Sequence, residues 1–310
     1  MENPVIQQLR QELQVECLAR EKAEQTLDVK TSELNTIRTN WTTTARELDQ
    51  LRVSTAPKSL ILTDDHLRDK LALLRYQTRN LAILYFDGDL TQAAKANPTS
   101  LLDPYLKPTT PGTNTYEILL NSSNAAQKVV RAYIWRVLVG EVFGQFLWAG
   151  DIGQHMAVIG SLLRPSGDPP DPVAERKFAL WSNDTTQILL DALGLRIEAE
   201  GHDVRYATPR VKTLVSLILE TISPFLREKE GQLQTTLLEI VDAAIKLDKE
   251  MCQQITRLTW VFGDMEAGTV VLAPGLKRRG RSDGKEFETE KVVLIKEISL
   301  EPGLKMGKVG

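Results

Sequence analysis

The sequence predicts an all-α protein: a long N-terminal coiled-coil helix, then a multi-helix bundle domain, then a weakly structured, β-prone C-terminal tail. Three observations carry this. A seven-residue apolar repeat runs without a slip from Ile6 to Leu51. Blocks of apolar residues at helical spacing follow, separated by proline and glycine. Beyond Gly263, short runs such as TVVLA and VVLIKEISL flank a stretch dominated by glycine and charge. The implied boundaries are 1–53 for the coiled coil, 54–63 for a linker, 64–265 for the helical domain and 266–310 for an extended or disordered tail.

With Ile6 at position a of the repeat, Leu13, Arg20, Leu27, Leu34, Trp41 and Leu48 are also a residues. The d residues are Leu9, Glu16, Ala23, Lys30, Ile37, Thr44 and Leu51. A repeat of seven held this long imposes a left-handed supercoil, because the apolar seam must stay turned toward a partner. The seam is therefore Ile6, Leu9, Leu13, Leu27, Leu34, Ile37, Trp41, Leu48 and Leu51, and Arg20 with the polar d residues weakens it. The alternative is one long helix packed back on the domain.

Pro57 breaks that helix. Thr63, followed by Asp64 and Asp65, opens the next one, which runs to about Phe86. Leu67, Leu71, Leu74, Leu81 and Tyr85 form its apolar stripe, interrupted by Thr78, with Arg68, Arg75 and Arg79 beside it. A proline-rich crossing segment or lid follows. A helix from near Ser123 then carries VVRAYIWRVLVGEVFGQFLWAG, Val129 to Gly150, around which the chain is organised. Its apolar residues cover more than one stripe, so it is buried on several sides. Arg131, Arg136 and Glu141 argue against a membrane span. Gly140 and Gly144 mark close approach of a neighbouring helix.

Further helices are expected over Ile152–Leu163, Val173–Glu200 and from Thr208-Pro209 to about Glu230 with a kink at Pro224. The last spans Gln232 to Phe262. The core face of the second of these is read as Phe178, Leu180, Trp181, Ile188, Leu189, Ala192 and Leu193. The tail is read as mostly unpacked, with one extended pairing at most.

Composition excludes several function classes. A net charge of −3 argues against bulk nucleic-acid binding. Cys17 and Cys252 lie far apart, which points to a reducing compartment. The first residues lack the pattern of a signal peptide, and no apolar run is long enough to span a bilayer, so an intracellular protein, cytoplasmic or nuclear, without membrane attachment is expected. Three N-glycosylation sequons are then chance matches. His66, His155 and His202 are dispersed, and no metal motif, nucleophile elbow or phosphate loop survives inspection. No catalytic residue, metal or cofactor is expected.

Two residue groups are candidates for binding. Arg75, Arg79, Arg131 and Arg136 lie on or beside strongly apolar helices. Turned inward, they pair with carboxylates such as Glu141 and Asp151 or hold a small anionic ligand. Lys277, Arg278, Arg279 and Arg281 form a basic cluster in the tail, read as a solvated run, a nuclear signal or a phosphate contact. The leading functional expectation is a structural or interaction protein that forms a homo-oligomer, or binds a partner, through the coiled coil. The alternatives are a helical domain that binds an anion or catalyses a reaction, and a nuclear regulator that uses the basic tail.

The combination of an N-terminal coiled coil, LRDKLALLRYQTRNLAILYF, IWRVLVGEVFGQFLWAG, APGLKRRGRSDGKEF and VVLIKEISL resembles a group of filamentous-fungal proteins of unknown function. The resemblance covers most of residues 60–300. It implies the same architecture and brings no activity, cofactor or catalytic residue.

Overall fold

A computed structural model describes residues 4–55, 62–88, 105–109, 125–167, 170–195, 208–227, 231–263, 269–281 and 284–300. The chain divides into two compact units, Met1–Lys58 and Ser59–Gly310.

The first unit is one unbroken helix, α1 (Pro4–Thr55), of 52 residues. Its side chains are described from residue 13 to 44, and every one of them is exposed. The helix satisfies its polar groups locally. Thr26, Thr31, Thr36 and Thr39 donate to the carbonyl four residues back. Arg20 pairs with Glu24 and Lys30 with Glu33 along the surface. The apolar seam is left uncovered: Leu13, Leu27, Leu34 and Ile37 are 62–67% exposed and Trp41 is 74% exposed. Ile6, Leu9, Leu48 and Leu51 lie outside the described side chains.

The second unit contains α2 (Asp64–Phe86), α3 (Ala126–Glu141), α4 (Asp151–Leu163), α5 (Pro172–Ala192), α6 (Pro209–Ile222) and α7 (Leu233–Cys252). Five strands follow: β1 (Arg257–Val261), β2 (Thr269–Ala273), β3 (Gly275–Arg279), β4 (Glu290–Leu294) and β5 (Glu297–Leu300). They form two antiparallel sheets, β1-β3-β4 and β2-β5. Chain entry into three helices is set by side-chain caps. Thr63 accepts from the His66 amide, Asp171 from Val173 and Ala174, and Thr208 from Val211. Proline at the first position of α5 and α6 costs nothing there, because that amide has no helical partner.

Helix α3 is the centre of the core. Val129, Tyr133, Ile134, Trp135, Val137 and Leu138 are all fully buried. Helices α2 and α6 and strand β2 pack against it, and α7 packs on α2 and α6. Thr78, the polar break in the α2 stripe, is fully buried too. Its hydroxyl donates to the carbonyls of Leu74 and Arg75 and accepts the Trp135 indole N–H at 3.2 Å. The interruption is thus the hydrogen-bond partner that lets a tryptophan be buried outright.

Four sequence expectations need correction. The central stretch is not one helix: α3 ends at Glu141, and Val142–Gly150 folds into a compact turn. Gly140 admits the Tyr105 ring rather than a helix, since a Cβ there would lie 2.5 Å from it. Helix α5 buries Glu175, Ala179, Asn183, Thr186 and Leu190, whereas Ile188 and Leu193 of the expected core face are exposed. The last helix stops at Cys252, and residues 257–261 are a strand whose ladder with β3 only the tertiary fold supplies.

The tail is corrected as well. Over residues 269–281 and 284–300 it is folded, with Val270, Leu276, Phe287 and Val293 buried. The helix expected to run to Glu200 ends at Ala192, with Gly194 left-handed at φ 66°. Of the expected lid only residues 105–109 are described, and residues 301–310 lie outside the described residues.

Replacing Thr78 by Val keeps the volume and removes the indole's acceptor. T78V should lose roughly 1–3 kcal/mol in urea unfolding. Adding Trp135→Phe should cost less in that background than in the wild type; equal costs in both would show that the hydrogen bond is not what Thr78 supplies.

Candidate functional site

The arginines singled out in the sequence do not converge on one open site. Arg75 and Arg131 meet at Glu297 on β5. Arg75 also donates to the carbonyls of Pro274 at 2.6 Å and Ile295 at 2.9 Å. Burial lowers the pKa of both arginines, and the Glu297 carboxylate opposes it. Arg79 is exposed, and its charge acts on Arg131. Arg136 lies apart, 4.3 Å over the Phe262 ring. Farther along α2, Arg68 donates to the Val293 carbonyl. Arg68 and Arg75 of α2 therefore tie down the C-terminal strands.

The basic cluster is also folded and paired. Lys277 lies 2.7 Å and Arg279 3.6 Å from Glu290, Arg278 lies 2.6 Å from Asp64, and Arg281 lies 3.1 Å from Glu286. Hydrogen bonding and charge from Lys277, with Arg279 adding to it, hold Glu290 below its ordinary value despite some desolvation. Lys277, Arg278 and Arg279 lie on β3, Arg281 follows it, and all four have carboxylate partners. Among the described residues no group of His, Cys, Asp and Glu could hold a metal ion, and no helix is long and apolar enough to cross a membrane.

A different site emerges at the C-terminal end of α7. A cleft of about 380 Å³ opens between the turn after α3, helices α4 and α5, the end of α7 and strand β1. Its walls include Phe143, Phe178, Trp181 and Trp260, and Arg164 and Arg257 contribute charge. Trp260 lies 4.5 Å from Phe143 and 6.0 Å from Trp135, which couples the cleft wall to the core. Arg257 pairs with the buried Glu175 at 3.3 Å and stacks 5.1 Å from Phe178.

Asp248 lines this cleft and is 2% exposed. Its Oδ1 accepts the Gly144 amide at 2.7 Å, while Oδ2 accepts no hydrogen bond among the described residues. The Trp148 indole acts on the same carboxyl but reaches no acceptor within hydrogen-bonding distance. Burial pushes Asp248 up to about 7, against the opposing pull of the Gly144 amide. One turn on, Cys252 lies 3.7 Å from Asp248 Oδ1. Burial and then the Asp248 charge push its thiol well above the usual value, so it is not an activated nucleophile.

The turn beneath Asp248 is built from unusual backbone. Phe146 is left-handed at φ 52°, ψ 36°, and Gly144 has φ 76°. A non-glycine residue there is strained by roughly 1–2 kcal/mol. Its geometry is locked by α4: a Cβ at Gly153 would lie 2.0 Å from the Phe146 carbonyl oxygen.

Sequence reasoning missed this site. The available signal was Asp248 itself, set four residues after Ala244 and four before Cys252 beside the apolar stripe of the last helix. The other members come from five separate segments. No protein-family model matches the chain, and neither a curated protein nor a solved structure is significantly similar to it.

The raised Asp248 pKa fixes a sign for stability. Unfolded, this carboxyl ionises near 3.8; folded, it holds its proton to about 7. Its contribution is complete below about 4, falls as pH rises to about 7, and changes no further above that. In thermal melts from pH 5 to 8, Asp248→Asn should therefore improve relative to wild type as pH rises. Parallel pH profiles for the two proteins would contradict the assignment.

Proposed function

We propose that this chain is an interaction protein that self-associates through α1 as a parallel two-stranded coiled coil. The observation that carries the reading is the exposed apolar seam on an unbroken 52-residue helix. A solvent-exposed apolar stripe at heptad spacing is stabilised when a second helix covers it, since each buried leucine contributes roughly 1.5–3 kcal/mol. A second copy of the chain fits the charge pattern. In a parallel, in-register pair, Glu33 of one copy stands opposite Arg38 of the other, and Glu47 opposite Arg52. No g-to-e pair in this register opposes like charges. Glu16, Arg20 and Lys30 interrupt the seam with side chains long enough to carry their charge to its edge, which favours two strands over more crowded assemblies.

Light scattering tests this directly. The full chain should have twice its 34.7 kDa mass, and residues 57–310 should be monomeric. Full-length Leu27→Asp/Leu34→Asp should also be monomeric, with the melting of the second unit unchanged. A monomeric full chain, or an oligomer that survives both changes, would overturn the proposal.

A further inference from the structure

The cleft over Asp248 has features that packing alone does not require. It is of the size that binds small molecules, whose sites run from roughly 300 to 1,000 Å³. Four aromatic residues wall it, an arrangement suited to the faces of a flat ring. At its floor lies the nearly fully buried Asp248 carboxyl, whose Oδ2 accepts no hydrogen bond among the described residues, although the Trp148 indole and the Phe146 amide act on the carboxyl. Such an atom ordinarily finds a hydrogen bond, and a ligand entering the cleft would supply one.

Charge selects the kind of ligand. Arg164 and Arg257 are close enough for Arg164 to act on Arg257 as a like charge. Glu175 offsets Arg257. Arg164 has no ion-pair partner among the described residues, and its Nη2 would lie 3.9 Å from a Cβ placed on Gly144. That puts a guanidinium above the turn that holds Asp248. Below about pH 7 Asp248 is mostly protonated and cancels little of that charge. Trp181 packs over the buried Gly160: a Cβ there would be in contact with the ring at 3.8 Å.

We propose that this cleft binds a small planar aromatic anion, its ring between the Trp260–Phe143 and Trp181–Phe178 walls, its anionic group on Arg164 and Arg257, and a polar atom at Asp248. Arg164 supplies the charge selectivity, since a guanidinium pairs with a carboxylate or phosphate through a planar, two-pronged contact. The site belongs to the second unit and is independent of self-association through α1.

Isothermal titration of the full chain with 2-naphthoate, 1-naphthyl phosphate, the neutral 2-naphthamide and acetate tests it. At least one of the two aromatic anions should bind saturably, with quenching of tryptophan fluorescence, and at least ten times more tightly than the amide; acetate should not bind. The two anions distinguish a carboxylate from a phosphate ligand. Because Arg164 is exposed, Arg164→Gln should leave melting unchanged while removing most of the preference for the anions over the amide. Gly160→Leu should abolish binding of all three aromatic probes by pushing the Trp181 ring off its seat and out of the cleft wall. Equal affinity for anion and amide, an Arg164→Gln protein with undiminished preference, or absence of binding at millimolar probe would each overturn the proposal.

Discussion

A helix whose residues from Val129 to Leu138 leave almost nothing to solvent must meet apolar neighbours on nearly every face. Helices α2 and α6 and strand β2 supply them around α3. The constraint is sharpest at Trp135, whose single polar atom would be left unsatisfied in that core without the Thr78 hydroxyl. Thr78 meets it while also bonding back to its own helix, so one polar side chain fixes the facing of α2 on α3. From that pairing follows the placement of the α2 arginines over the C-terminal strands.

Those arginines explain why a glycine-rich, charged tail folds at all. Strands of four or five residues carry too little apolar surface to hold together alone. Here Arg68 donates to a carbonyl of β4, Arg75 donates to carbonyls at two strand junctions, and Glu297 closes an ion pair with Arg75 and Arg131. The buried guanidiniums in turn depend on the strands for their acceptors. The two parts are mutually required, which is how buried charge is tolerated so near an apolar helix.

The turn from Val142 to Gly150 has the opposite character. It accepts backbone strain at Phe146 and a buried carboxyl at Asp248 with one oxygen that has no hydrogen bond among the described residues. Both features lower stability and persist because α4 locks the Phe146 carbonyl against Gly153. Strain and an unmet hydrogen bond gathered beside an aromatic-walled cleft are the pattern of a site held ready for a ligand.

The sequence by itself determined where the helices begin, because capping and the onset of apolar periodicity are local, but not where several of them end. The α1 heptads, the Thr63 and Thr208 caps and the apolar stripe of α7 were legible at once. So was the burial of residues 129–138. The residues that make the cleft were not, because they lie on segments brought together only by packing. The tertiary structure alone decided that Arg75 and Arg131 face Glu297 and that residues 257–261 form a strand. It also turned α5 to bury Thr186 and expose Ile188. Each of these outcomes depends on a partner far away in the chain. Local propensity is blind to where an ion pair, a ladder hydrogen bond or a second apolar surface will come from.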